Sequence, residues 1–325
     1  MMPLAELDRL VELVDPDSSC SVADQAAAPW GYEAGRAKWR RSSASHVFVL
    51  LADERPSRYL RFVPESARPL AAVSQTATLM QQLADAGVAV VRPVPSARGR
   101  LTELIPTSIG PMCATVVESA PGKQIDADDL TQDYAVAWGS ALASLHKAGR
   151  DIAFPVVQRF DDLGRLIATG DAISAVVRSL LTRLQALPAD DRHFGLVHGD
   201  FELDNIAWGD GVPTSFDFDE AACSWFAADV AFALRDLQAD ANGGEARKDM
   251  IDAFLSGYRQ VRPFDSDDED SLELFTQLNA ARALATILEV LAADGRPQDH
   301  PGLYQRLQRF VHRQRAIVLN EVAAP

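Results

Sequence analysis

The sequence predicts an α+β protein of two lobes, a small one built on a mostly antiparallel sheet and a larger one that is chiefly helical. Three observations predict it. Strand-like runs gather in the first 120 residues, at 46–51, 58–63, 88–91 and 114–117, whereas helical apolar spacing dominates the remainder. Strands in one stretch and helices in another argue for α+β. The helical part is broken once, by a polar stretch from Gly195 to Glu220 that reads as three short strands and presents Asp200, Asn205 and Asp217 at loop ends. At 325 residues the chain is long enough for two domains, or one two-lobed domain, around a sizeable core.

The elements follow in order. Residues 4–14 carry Leu4, Leu7, Leu10, Val11 and Val14 at helical spacing, a short amphipathic helix. The segment 15–28, rich in Ser, Asp and Ala, reads as a loop ahead of Pro29-Trp30-Gly31-Tyr32. The runs at 46–51 and 58–63 are joined by a polar turn that contains Pro56. Residues 70–86 place Ala72, Leu79, Met80, Leu83 and Ala86 on one helical face, and Gly87 closes that helix. Further helices are expected at 135–146, with Trp138, Leu142 and Leu145 inward, at 171–187, and at 245–260, 270–293 and 302–322. The acidic run 265–270 stands at the N-terminus of the longest of them, where carboxylates favour the helix dipole.

Composition narrows the function classes. Hydrophobic residues make up 47% and charged residues 24%, an ordinary globular balance, and no apolar run reaches the length of a membrane span. The N-terminal stretch is acidic and lacks a basic segment before an apolar core, so it does not read as a secretory signal. Cys20, Cys113 and Cys223 are an odd, widely spaced set, which argues for reduced thiols in a cytoplasmic protein rather than disulfides or zinc. A net charge of −15 argues against a nucleic-acid partner, which wants a basic face. The same charge suits a cationic small substrate, but it bears on solubility more than on function.

The chemistry sits in the polar stretch. Leu196-Val197 and Ile206-Ala207-Trp208 flank a loop, Gly209-Asp210-Gly211 makes a turn, and Thr214-Ser215-Phe216 delivers Asp217 at its end. Carboxylates and an amide oxygen gathered on loop ends make an oxygen-ligand site for Mg²⁺ beside a group able to orient a hydroxyl. Asp200 and Asn205 have the spacing of the catalytic-loop Asp and Asn of protein kinases, and Asp217-Phe218 opens an Asp-Phe-Gly-like segment with Asp219 in the place of Gly. With His198-Gly199-Asp200 in place of His-Arg-Asp, the pattern resembles the aminoglycoside phosphotransferase and choline kinase superfamily. The resemblance covers roughly 40–320 and is strongest from 195 to 235; it marks the superfamily well and the substrate poorly.

That resemblance implies a two-lobed, protein-kinase-like fold, with a nucleotide-binding lobe at 1–117, a connection at 118–122 and a catalytic and substrate-binding lobe at 123–325. It implies that Asp200 accepts or orients the hydroxyl proton and that Asn205 and Asp217 hold Mg²⁺. Arg61 stands where kinases carry the strand Lys that meets the phosphates, although strand alternation explains its position equally well. Gln75 stands where a Glu usually pairs with that cation, so it adds a hydrogen-bonding group but no opposite charge. The tract 40–45, with Ser43, is an ordinary turn by itself and the phosphate-covering hairpin by resemblance. Likewise, 116–122 is a surface turn by itself; by resemblance Glu118 and Ala120 offer backbone groups to an adenine edge. His198 is expected to pack and hydrogen-bond the loop, and Asp229 to brace it from below. Asp219 and Glu220 stand near the metal, either for a second ion or cationic acceptor or behind the first ligands. His146 matches a family position but reads as a cap or core residue.

The expected activity is transfer of the γ-phosphoryl group of ATP or GTP to a hydroxyl of a small molecule, with neither nucleic acid nor membrane as partner. The acceptor stays open between an aminoglycoside or other antibiotic and a choline-, sugar- or homoserine-like metabolite. A nucleotide-binding regulatory protein without turnover is the rival class; Arg61 and Gln75 suggest it and the intact Asp200, Asn205 and Asp217 speak against it.

Overall fold

The computed structural model describes residues 4–51, 57–154, 160, 163–168, 170–238, 246–293 and 301–320. The predicted turn around Pro56 lies outside the described residues. The chain divides into two compact units, Met1–Pro121 and Gly122–Pro325.

The first unit is an antiparallel sheet with helices on both faces. Its elements are α1 (Leu4–Val11), α2 (Ser21–Ala27), β1 (Ala37–Ser42), β2 (His46–Leu50), β3 (Arg58–Pro64), α3 (Leu70–Asp85), β4 (Pro93–Val94), β5 (Thr102–Thr107) and β6 (Gly110–Glu118). The order is β1-β2-β3-β6, and β6 pairs along its other edge with both β5 and β4. Period-2 alternation sorts the two faces. Phe48, Leu60, Phe62, Ala114 and Val116 pack with Val22, Ala23 and Ala26 of α2, whereas Val63 and Cys113 pack with Val73 of α3. Arg61 therefore belongs to the face that carries Val63.

Three expectations for this unit are corrected and one strand is added. Residues 21–27 are a helix, not a loop: Ala is the strongest helix former, and Val22, Ala23, Ala26 and Ala27 give it a fully buried face of small residues against the sheet. Arg40, Arg41 and Ser42 lie in a strand of their own, β1, whose pairing with β2 shifts register between Trp39 and Arg41. The expected strand at 88–91 is instead a link, and the short strand follows it at Pro93–Val94. Strand β5, with its polar Thr102 and Glu103, has too little apolar alternation to be seen in the sequence; Glu103 is buried because Ser96 donates to it at 2.7 Å and Arg98 and Arg100 neutralise it.

The second unit comprises α4 (Gln132–Ala148), α5 (Gly164–Ala168), α6 (Ala172–Gln185), β7 (Phe194–Val197), β8 (Ile206–Gly209), β9 (Val212–Ser215), β10 (Ala222–Trp225), α7 (Phe226–Ala233), α8 (Lys248–Val261), α9 (Ser266–Asp270), α10 (Leu272–Ala293) and α11 (Pro301–Leu319). Helices α4 and α8 meet backbone to backbone: a Cβ on Gly139 would lie 1.9 Å from the Phe254 carbonyl oxygen, and one on Gly257 1.9 Å from that of Val136. Only glycine permits that approach, and Ser140 Oγ donates across it to the Gly257 carbonyl at 2.9 Å. Trp138, Leu142 and Leu145 are buried, as helical spacing requires.

Two short antiparallel ladders hold the polar stretch. β8 and β9 form a hairpin through Asp210 and Gly211, both at positive φ (51° and 78°), the backbone a tight two-residue turn needs. β7 pairs with β10, a strand that the sequence left unmarked because Ala222-Cys223-Ser224-Trp225 shows no strand-like apolar alternation. The acidic run 265–270 makes its own one-turn helix, α9, where Asp265 accepts from the backbone N–H groups of Asp267 and Asp268. Among the described residues, no helix is long and apolar enough to cross a membrane.

Candidate active site

The loop between β7 and β8 is fixed from below before it can present anything above. Asp229, on α7 and buried, accepts from the backbone N–H groups of His198 and Gly199, both at 2.8 Å. Its Oδ2 also lies 3.0 Å from His146 Nε2, and His146 Nδ1 lies 2.7 Å from the Tyr258 hydroxyl. The donors fall in one order: the Tyr258 hydroxyl donates to His146 Nδ1, and His146 Nε2–H donates to Asp229. Burial pushes the His146 imidazole below its ordinary pKa despite the neighbouring carboxylate, so the ring is neutral, as this order needs. His146 is thus a buried core residue of this brace, not a free acid–base group.

His198 is fully buried and held by its two ring nitrogens. The Asp200 backbone N–H donates to its Nδ1 at 3.2 Å, and its Nε2 donates to the Phe216 carbonyl at 3.1 Å. Phe218 and Phe201 cover the ring, at centroid distances of 4.3 and 5.4 Å. Both nitrogens are engaged in lacing this loop to the end of β9. The Phe216 N–H reinforces it by donating to the Asn205 carbonyl at 3.0 Å.

Above that brace stand the carboxylates. Asn205 is buried and spends its side-chain N–H groups on Asp200, on the backbone carbonyl and on Oδ2, each at 2.9 Å. Its amide oxygen is left as an acceptor. Burial pushes the Asp200 carboxyl up to about 6; Asp217 and Glu220 push the same way, against the opposing pull of Arg235. Asp217 follows β9 in the left-handed region, φ 67° and ψ 65°. A residue with a Cβ pays about 1 kcal/mol or more there, and such strain collects where a side chain must be aimed. Asp219 and Glu220 lie in the short 3₁₀ turn that follows, and Glu220 accepts from Arg282 of α10 at 2.8 Å.

Arg235, in the turn after α7, was not marked by the sequence. Its Nη1 lies 3.6 Å from Asp200 Oδ1, its Nη2 meets Glu202, and its guanidinium lies over the Phe232 ring at 4.0 Å. No motif spacing links position 235 to position 200; only folding brings them together.

The residues expected to meet a nucleotide lie in the first unit. The Arg61 guanidinium donates to Ser45 Oγ at 3.3 Å. Ser43 is exposed in the β1–β2 turn, its N–H donating to the Ser45 carbonyl at 3.1 Å. Gln75 is exposed on α3, whereas its neighbour Ser74 reaches the sheet, its hydroxyl meeting that of Thr102 at 2.6 Å. Glu118 ends β6 with its N–H donating to the Arg92 carbonyl at 2.9 Å, and the Ala120 carbonyl accepts from Ser119 Oγ at 3.4 Å.

Comparison with known proteins matches this arrangement. Residues 39–264 match the model of the phosphotransferase enzyme family. Amicoumacin kinase of Bacillus subtilis (strain 168) is 26% identical over 224 residues, covering 66% of this chain and 66% of that protein. A homoserine kinase of Methylobacterium radiotolerans is 30% identical over 227 residues, covering 65% and 67% respectively. The chain thus spans about two thirds of the length of these relatives. Among solved structures, amicoumacin kinase hAmiN, in complex with AMP-PNP, Ca²⁺ and Ami, superposes with a TM-score of 0.79 at 20% identity, covering 98% of this chain and 97% of that one. A family match that takes in the braced loop, the hairpin and most of the sheet leaves one conclusion: the chain belongs to the phosphotransferase enzyme family.

Proposed function

We propose that this protein transfers the γ-phosphoryl group of ATP or GTP to a hydroxyl of a small molecule, with Asp200 as the group that accepts or orients the hydroxyl proton. The observation that carries this reading is the Asp200–Asn205 pair: a carboxylate raised to about 6, gripped at 2.9 Å by an amide whose oxygen stays available. A carboxylate poised near the working pH suits proton transfer. The acceptor oxygen attacks phosphorus, the bond to the β–γ bridging oxygen breaks, the nucleoside diphosphate leaves, and the proton passes to Asp200.

The donor set supports a hard divalent cation. Asn205 offers a neutral oxygen and Asp217 a carboxylate, both oxygen ligands of the kind Mg²⁺ takes. Among the described residues, no group of three or more His, Cys, Asp or Glu side chains is placed to cage a metal. A pair of protein oxygens fits an ion that keeps waters and shares phosphate oxygens, which is the habit of Mg²⁺. When bound, such an ion neutralises charge on the phosphates. The chain's own contribution is aim: the Asp229 and His198 contacts hold the loop so that Asp200 and Asn205 need no reorganisation. Arg61 is assigned to the phosphates, with Ser43, Gln75, and the backbone of Glu118 and Ala120 as its company on the nucleotide side. His198, Asp219 and Asp229 act through other groups.

The acceptor class is an antibiotic or a hydroxylated metabolite such as homoserine, since relatives of both kinds match the chain at similar identity. The test is MgATP consumption against a panel of amino alcohols, homoserine, sugars and antibiotics, with Asp200→Asn as control. A panel member that is phosphorylated by the wild type and not by the variant is the expected result. Turnover by the variant within twofold of wild type removes Asp200 from the mechanism. Tight MgATP binding with no turnover on any acceptor, water included, replaces the enzyme by a nucleotide-binding regulator.

A further inference from the structure

We infer that Arg235 is a positioning residue for the Asp200 carboxylate, a role that neither motif spacing nor the family match assigns. The inference rests on the reading of Asp200 above. Three contacts fix the guanidinium. Nη2 pairs with Glu202, two residues beyond Asp200 on the same loop; Nε lies 3.8 Å from Asp236 Oδ1; and the plane lies 4.0 Å over the Phe232 ring, close enough for cation–π attraction. Held in this way, Nη1 comes within 3.6 Å of Asp200 Oδ1 and, though buried, makes no hydrogen bond in the structure.

The two Asp200 oxygens are therefore treated differently. Oδ2 accepts from Asn205 at 2.9 Å, and Oδ1 faces a cation at a distance that attracts without a hydrogen bond. Asn205 fixes one oxygen by geometry, and Arg235 turns the other by charge while leaving it a lone pair for an incoming O–H. A lysine could not do both jobs, because one ammonium replaces a planar fork that reaches Glu202 and Asp200 with separate nitrogens. Glu202, half-buried, keeps the fork from collapsing onto Asp200 and closing that lone pair.

Two readouts test this without knowing the acceptor. Selective ¹⁵N labelling of asparagine reports the Asn205 side-chain amide, which donates to Asp200. Slow MgATP hydrolysis, with water as acceptor, reports turnover. Arg235→Ala is expected to move the Asn205 amide signal, to lower kcat by about tenfold or more with the KM for MgATP within twofold, and to recover several-fold in millimolar methylguanidinium. Arg235→Lys should fall between it and wild type. In an Asp200→Asn background, Arg235→Ala should lower turnover no further. An unmoved Asn205 signal, or full kcat in either Arg235 variant, overturns the inference. So does an equal loss in both backgrounds. Should Arg235→Ala fail to fold, Arg235→Lys decides by the same two readouts. Wild-type turnover in Asp200→Asn alone instead sinks the reading of Asp200 and leaves the amide signal to judge Arg235.

Discussion

Two aspartates near one loop show what surroundings do to the same side chain. Asp229 lies under the loop, buried, with two backbone N–H groups and a neutral imidazole donating to it. Asp200 lies on top, with one amide donor and a cation at 3.6 Å, and burial raises it first and two further acidic side chains after that. The first carboxylate is spent on structure. The second is kept partly unsatisfied, which is unfavourable for the fold and is what the proposed proton transfer needs.

The largest effect should come from the lower aspartate. Asp229→Ala leaves two backbone N–H groups and His146 without their acceptor in the core, and is expected to cost at least about 3 kcal/mol. A thermal melt with the midpoint within 2 °C of wild type would show that the brace is dispensable.

The upper aspartate should respond in the opposite sense. Asp200→Asn should lower turnover by at least about 10²-fold, the range for losing a positioned acid–base group. Its stability should hold or rise. A carboxyl raised from 3.8 to about 6 binds its proton more tightly in the folded state, so stability falls as pH rises between those values and stays low above them. The amide removes that penalty, which is at most about 3 kcal/mol. The expected signature is a melting temperature at pH 7 no lower than wild type, with the variant's advantage shrinking as pH falls through 6 toward 4. An advantage that grew on acidification would reverse the assignment. For catalysis, kcat/KM of the wild type should decline below about pH 6 as Asp200 protonates. A flat profile from pH 5 to 8 would say that Asp200 takes no proton.

A smaller effect sharpens the description of the brace. Tyr258→Phe removes the donor to His146 Nδ1, an interaction at 2.7 Å, and should cost about 1–2 kcal/mol while leaving KM for nucleotide unchanged. Urea unfolding measures it, and no loss would place Tyr258 outside the network. The smallest effect is expected at Gln75, exposed on α3. Gln75→Glu should change ATP affinity by less than tenfold, since any charge pair that a carboxylate at this exposed position forms is individually weak. A larger change would make position 75 a determinant of nucleotide binding.

Much of the second unit could be read in one dimension because its signals are local. The spacing of Asp200, Asn205 and Asp217, the Gly-Asp-Gly turn and the inward Trp138, Leu142 and Leu145 each depend on neighbours a few residues away. Elements without local periodicity escaped. Helix α2 looks like a loop because small residues carry little apolar signal, though they are what lets it lie close on the sheet. Strands β5 and β10 exist because β6 and β7 offer them hydrogen bonds, not because their own residues demand extension.

The sequence by itself determined the reaction class, since that rests on which chemical groups stand at which short spacings on one loop. The resemblance already pointed to Asp229 as the brace, and tertiary structure decided what else meets these groups. Asp229 lies 29 residues from Asp200, Tyr258 lies 58, and Arg235 lies 35, and no spacing rule spans such separations. Whether a carboxylate is quenched by donors or left raised beside a guanidinium depends on what the folded chain packs against it.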